Sequence, residues 1–396
     1  MINDIFYKHT NPFEIRIKHI SHLDLDGYSS TILTKVIQNV LTTDNFHCYL
    51  ECINIAPHRL LNELRDTVEH LYNYDVVIIT DLAVNEEIVK LIQEYERFEK
   101  IYVFDHHITN IENLPQNFTI RSHDLIDTTK LTCATSLYYN YIMSDLLVGT
   151  LIRAKKLDKA LYHFAECVRC YDTFEFWNKR YENIDKNNFK ELYNFEAPRL
   201  NTLFHILDHE EFEKYILDYI NNIKIKYFNN KPSLTAFDMN DYIDDNITHY
   251  NNYSYIEKLI DYEMRKNDKY IEAALGRLTK TPFKCKTYYN GKLYTFNYLI
   301  GIVFSERSSP MIANTALERN PDLDICAVAT FNQISIYTNK ESIDVSILAK
   351  ILGGGGHKKA AGFTIPYNNA VIYNLEHFSS IINCAAKYIP SDKLNE

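Results

Sequence analysis

The sequence predicts an α/β protein with a parallel-sheet N-terminal domain over about residues 1–200, a mainly helical connector over 201–279 and a smaller α/β domain over 280–396. Three observations carry this expectation. The 396 residues exceed what one hydrophobic core normally supports. Between about residues 14 and 125, apolar β-branched runs alternate with helix-like segments, the pattern of βαβ units around a parallel sheet. Beyond about residue 280 the β-type pattern returns, together with a glycine-rich run. With two domains joined by a connector, the active site is expected in the cleft between them.

In chain order, EIRIKHISH reads as a strand and STILTKVIQNVL as the helix after it. DVVIITD reads as a buried strand, NEEIVKLIQEYERF as an amphipathic helix and KIYVFDHH as a second buried strand. From about 133 to 228 the chain reads as helical, through SLYYNYIMSDLLV, LDKALYHFAECVRC and FEKYILDYINNIKI. A polar stretch, FNNKPSLTAFDMNDYIDDNITHYNNYS, precedes the long helical candidate YIEKLIDYEMRKNDKYIEAALGRL, and both read as linker and spacer. Strands follow in CKTYYNGKLYTFNYL, LDICAVATFN and QISIYTN, with Asn290-Gly291 as a hairpin turn.

The bulk properties narrow the function. A composition of 46% hydrophobic and 24% charged residues is that of a globular protein. No run approaches the roughly 18 apolar residues of a membrane span, and the N-terminus lacks a signal peptide's apolar core, so the expected location is the cytoplasm. A net charge of −10 opposes a role as a clamp on long duplex DNA, where Lys and Arg dominate affinity. It leaves room for a small phosphorylated ligand held by cations. The eight scattered cysteines read as reduced thiols; Cys167 and Cys170 form a CxxC in a helical stretch with no second pair to complete a zinc site, and read as structural.

Three acidic or histidine clusters each follow a parallel-strand candidate: His22-Leu23-Asp24-Leu25-Asp26-Gly27, then Asp81, then Asp105-His106-His107. Singly, each reads as a turn, a helix cap or a surface pair. Jointly, they point into the crevice beyond the carboxyl ends of the strands, where open α/β sheets bind ligands. Asp24 and Asp26, two apart, are expected to project from extended backbone toward a common ion pair. Hard oxygen donors mixed with imidazole suit manganese first and magnesium second. The run Gly353 to Gly356 before His357 lets backbone amides approach a phosphate, and it lacks the Walker P-loop spacing.

SHLDLDG, VIITD, VFDHH, YDTFEFW and LGGGGHKKAAGF, in that order, resemble the successive motifs of the DHH phosphoesterase family, the last resembling the GGGH motif of its associated C-terminal domain. Within the family the likeness is to the oligoribonuclease, or nanoRNase, branch. The resemblance implies Asp24, Asp26, Asp81, His106 and Asp172 as ligands of two divalent cations, with Asp81 and Asp172 bridging. His22 is either a further ligand or a strand-end hydrogen-bonder. It further implies Asp105 as the carboxylate that orients the histidines, His107 facing the substrate phosphate, and Gly354, Gly355, Gly356 and His357 contacting substrate. Relatives commonly carry Ser-x-Arg where this chain has Ser335-Ile336-Tyr337; Tyr337 then offers a stacking surface and Arg307 a replacement charge.

The implied activity is hydrolysis of short oligoribonucleotides to nucleoside 5′-monophosphates, extending to 3′-phosphoadenosine 5′-phosphate. The implied partner is thus short RNA or a small nucleotide, and a homo-oligomer is compatible with it. The alternatives are a linear or cyclic dinucleotide signalling phosphodiesterase, a RecJ-like single-strand exonuclease and, outside catalysis, a nucleotide-binding protein. The retained acidic residues oppose the last.

Overall fold

A computed structural model describes residues 14–95, 98–107, 111, 113–125, 127–179, 189–226, 250–330 and 333–364. Residues 1–13, most of the polar stretch at 228–254, and Cys384 lie outside them. The chain divides into two compact units, Met1–Asp261 and Tyr262–Glu396.

The first unit is built on β1 (Glu14–Ser21), β2 (His47–Asn54), β3 (Val76–Thr80), β4 (Ile101–Asp105) and β5 (Phe118–Ile120), in the spatial order β2-β1-β3-β4-β5. Every neighbouring pair is parallel, as the alternating pattern predicts. All five residues of β3 and of β4 are buried, which is why VVIIT and IYVFD read as unbroken apolar runs: helices cover both faces of a central parallel strand. The edge strand β2 exposes alternate residues, so its sequence, HCYLECIN, carries a weaker signal and the alternation pattern alone does not reveal it.

Helices α1 (Leu25–Leu41), α2 (Leu60–Glu69) and α3 (Glu86–Gln93) connect the strands. Helices α4 (Ala134–Ser144), α5 (Val148–Ala154), α6 (Asp158–Asp172), α7 (Phe189–Ile206) and α8 (His209–Lys226) follow, confirming the helical reading of this region. Because β2 and β3 lie on opposite sides of β1, the connections diverge at the β1/β3 boundary. Such a switch point opens a crevice at the carboxyl ends of those two strands.

In the second unit, after α9 (Tyr250–Leu275), a mixed six-stranded sheet contains β6 (Thr279–Tyr289), β7 (Lys292–Phe304), β8 (Ile325–Ala329), β9 (Gln333–Tyr337), β10 (Gly355–Gly356) and β11 (Ala360–Thr364), ordered β10-β11-β9-β8-β7-β6. Only β7 and β8 pair in parallel. The expected hairpin turn joins β6 to β7, with Asn290 and Gly291 both at positive φ, 49° and 72°. Helices α10 (Ser309–Arg319) and α11 (Val345–Ile351) also belong to this unit. Among the described residues no helix is long and apolar enough to cross a membrane.

The glycine run has a packing reason of its own. A Cβ on Gly354 would lie 2.0 Å from the Gly362 carbonyl oxygen, and one on Gly356, at φ 135°, would lie 2.5 Å from Ala361 Cα. A Cβ on Gly355 would meet nothing within 4 Å. Gly354→Ala is therefore expected to destabilise the second unit by about 3 kcal/mol, against about 0.5 kcal/mol for Gly355→Ala. Urea unfolding of the two variants checks this; equal midpoints would refute the close-approach account.

Candidate active site

The carboxyl ends of β1, β3 and β4 present His22 and Asp24, Asp81, and Asp105 with His106, in that order. The sheet order puts β1 and β3 side by side with β4 next, so three separated segments converge. Asp172, the last residue of α6, joins them.

Asp24 and Asp26 do not share extended backbone. Asp24 caps α1, its Oδ1 accepting from Gly27 N at 3.1 Å, while Asp26 lies inside the first turn. Their carboxylates consequently face different partners. Asp24 Oδ2 is 2.8 Å from His22 Nδ1. Buried Asp26 accepts from Ala134 N at 2.8 Å and Thr135 N at 2.9 Å, one on each oxygen, and so caps the N-terminus of α4.

Asp81 is 3% exposed, with φ at 55°. Its Oδ1 is 3.2 Å from His106 Nε2, and its Oδ2 is buried with no hydrogen-bond partner, His22 Nδ1 standing 3.5 Å away. His106 Nδ1 is 3.6 Å from Asp172 Oδ2. Asp105, almost fully buried, accepts on one oxygen from the backbone N–H of His106 at 2.9 Å and from His107 Nδ1 at 2.7 Å. Donor atoms fall into overlapping groups within 4.8 Å of one another: His22, Asp24 and Asp81; Asp81, Asp105, His106 and His107; Asp26, His106 and Asp172.

The electrostatics reflect this crowding. Burial, and then the charge of Asp26, hold Asp81 well above the usual carboxylate range. Burial and the charges of Asp26 and Asp24 push Asp172 up to about 7, against the opposing effect of His106. The contact with Asp24 and then the nearby Asp81 carboxylate raise His22 to about 10. Partial desolvation would raise Asp24, whose side chain is still half exposed, yet His22 brings it down to about 2. Carboxylates this close need positive charge, and the histidines supply only part of it. The orphaned Asp81 oxygen and the hard oxygen and imidazole donors fit divalent cations.

Beneath the site lies a polar network that the motifs do not disclose. His19 joins Thr34 Oγ1 through Nδ1 at 2.7 Å and Thr80 Oγ1 through Nε2 at 2.8 Å. Ser21 Oγ reaches Thr80 Oγ1 at 2.6 Å and donates to the Gly27 carbonyl at 2.9 Å. The network ties the ends of β1 and β3 together. Burial pushes His19 down to about 3 from 6.5. The unfolded chain thus takes up a proton that the fold refuses: His19's contribution is complete above about 6.5 and lost as pH falls toward about 3. His19→Gln is expected to flatten the pH dependence of stability in that window, measured by urea unfolding at successive pH values. Unchanged slopes would mean His19 is not buried neutral.

Arg169 anchors the segment following Asp172, with its guanidinium on Glu166 at 3.2 Å, Glu175 at 2.8 Å and the Leu131 carbonyl at 3.0 Å. In the second unit, Tyr337 pairs with Ala360 across β9 and β11 and with Cys326 across β8 and β9, and it packs, partly buried, against the core. Arg307 lies over the Tyr270 ring, 4.2 Å from its centre. His357 opens a tight turn in which its N–H donates to the Ala360 carbonyl at 2.7 Å, and Lys358 and Lys359 pair with exposed Glu341.

Sequence reasoning assigned no role to Gly27, His19, Thr80 or Arg169, nor to the backbone amides of Ala134 and Thr135. Only the glycine, inside the DxDG cluster, left a readable signal.

No family model matches the chain. It is 27% identical over 348 residues to the oligoribonuclease NrnB of Bacillus subtilis, covering 87% of this chain and 72% of that protein. It is 23% identical over 361 residues to a 3′,5′-cyclic-nucleotide phosphodiesterase of Helicobacter pylori, covering 88% and 92%. Among solved structures, RecJ of Thermus thermophilus in complex with Mn2+ superposes over 95% of this chain and 52% of its own, with a TM-score of 0.50 and 13% identity, a likeness of fold.

Proposed function

We propose that this chain, which resembles the oligoribonuclease branch of the DHH phosphoesterases, is a cation-dependent hydrolase of short oligoribonucleotides that releases nucleoside 5′-monophosphates. The observation that carries the reading is the convergence of His22, Asp24, Asp26, Asp81, His106 and Asp172 at the β1/β3 switch point, with a buried Asp81 oxygen left without a hydrogen-bond partner. The similarity to an oligoribonuclease over 87% of the chain supports the substrate class.

In this reading those six residues hold two divalent cations, manganese by preference and magnesium as the second choice. Bound cations supply the charge that makes a water acidic near neutral pH and that offsets the phosphoryl oxygens. The protein's own groups do the positioning. Asp26 is fixed by two amides of α4, so its carboxylate is presented in one orientation. Asp105 holds the proton on His107 Nδ1, which makes Nε2 the nitrogen that meets a substrate oxygen. His107 is 41% exposed at its side chain, as a substrate-facing group requires. In the second unit Gly355, where a side chain would meet nothing, is the position reserved for close approach of a phosphate, with His357 beside it. In this reading Tyr337, packed against the core, and Arg307, over the Tyr270 ring, take lesser parts in substrate binding.

The test is product analysis of the purified full chain with manganese on an RNA dinucleotide, a long RNA strand and a cyclic dinucleotide, beside a chelator control. Rapid, chelator-sensitive release of mononucleotides from the dinucleotide is expected. Preference for the cyclic substrate would replace this reading with the cyclic-nucleotide activity named for the Helicobacter relative, and no cleavage of any substrate would overturn it.

A further inference from the structure

A second group of potential ligands lies in the helical part of the first unit, and the cation site described above does not use it. His163 and Cys167 stand four residues apart on α6 and therefore share one face. Glu196 of α7 meets them there. His163 Nε2 is 2.7 Å from Glu196 Oε2, and the Cys167 thiol is 3.8 Å from that same oxygen. All three residues are buried, with relative exposures of 1%, 0% and 0%. Their donor atoms lie within 4.8 Å of one another.

The geometry points to a buried binding site for a borderline-soft divalent cation of the zinc type, held by His163 Nε2, Cys167 Sγ and a Glu196 carboxylate oxygen. Bonds of about 2.0–2.3 Å in a tetrahedral arrangement separate ligand atoms by roughly 3.3–3.8 Å. The observed separations bracket that range, so small side-chain adjustments centre an ion.

Charge is compatible with the same reading. The Nδ1 of His163 is buried with no hydrogen-bond partner, so an imidazolium here would bury a charged N–H lacking an acceptor. A divalent cation balances one carboxylate and one thiolate while the imidazole stays neutral. The thiolate distinguishes this donor set from the all-oxygen-and-imidazole set at the switch point, where harder cations fit better. The consequence is structural: the ion would pin α6 to α7, and α6 ends at Asp172.

The experiment uses the full chain, stripped by chelator and titrated with cobalt(II). A thiolate-to-cobalt charge-transfer band is expected at about one equivalent per chain. It should vanish in Cys167→Ser and persist in Cys133→Ser, which removes a buried thiol beside Asp26, and in Asp81→Asn, which impairs the other site. Should Cys167→Ser fail to fold, zinc-edge X-ray absorption of the zinc-loaded wild type decides, with one sulfur at about 2.3 Å expected. A band that survives Cys167→Ser, or a zinc spectrum with nitrogen and oxygen neighbours alone, would overturn the inference and leave the phosphoesterase reading untouched.

Discussion

Asp81→Asn is expected to lower cation-dependent hydrolysis by about 10³-fold or more while leaving the cation-free protein as stable as the wild type or more so. Asparagine keeps the shape of the side chain, accepts the positive φ that Asp81 holds, and retains an oxygen facing His106. It removes a charge that burial and the neighbouring Asp26, Asp24 and Asp172 all oppose. In the absence of cations that charge is a liability, and its removal is expected to stabilise by about 1 kcal/mol. With cations it is what the ions need, so calorimetric cation affinity should fall with kcat/KM. Wild-type turnover in Asp81→Asn would refute the ligand assignment. A lowered melting temperature in chelator would refute the account of the buried charge.

Gly27→Ala is expected to cost about 3 kcal/mol or more and to abolish activity with it. A Cβ at this position would lie 2.3 Å from the His22 carbonyl oxygen, 2.6 Å from its carbonyl carbon and 2.7 Å from its nitrogen. These are backbone atoms of the turn that carries His22 and Asp24, and they cannot rotate aside. Gly27 is also held at both ends, donating to Asp24 and accepting from Ser21. Shifting it therefore displaces the cap of α1 and the strand end together. Urea unfolding measures the loss. A wild-type midpoint would show that the turn has room that the geometry denies.

The sequence by itself determined the class of fold and most of the candidate site. Buried central strands leave continuous apolar runs because both faces are covered, so β3 and β4 were legible, and with them the positions of Asp81 and of Asp105 to His107 at their ends. The Asn290-Gly291 turn was legible because few other residue pairs accept two positive φ values. Edge strand β2 was not, since three of its eight residues face water and its pattern weakens.

Tertiary structure alone decided how the acidic residues divide their work. Asp24 and Asp26 look equivalent in the sequence, yet one caps its own helix and pairs with His22, while the other is fixed by amides more than a hundred residues away. The glycine run likewise looked uniform, and folding separated Gly354 and Gly356, whose Cβ atoms would strike β11, from Gly355, whose Cβ would meet nothing. The reason is the same in both cases. Residue type and local periodicity record what a side chain can do, while its partners are chosen by backbone atoms that have no residue-specific signature and meet only when distant segments pack.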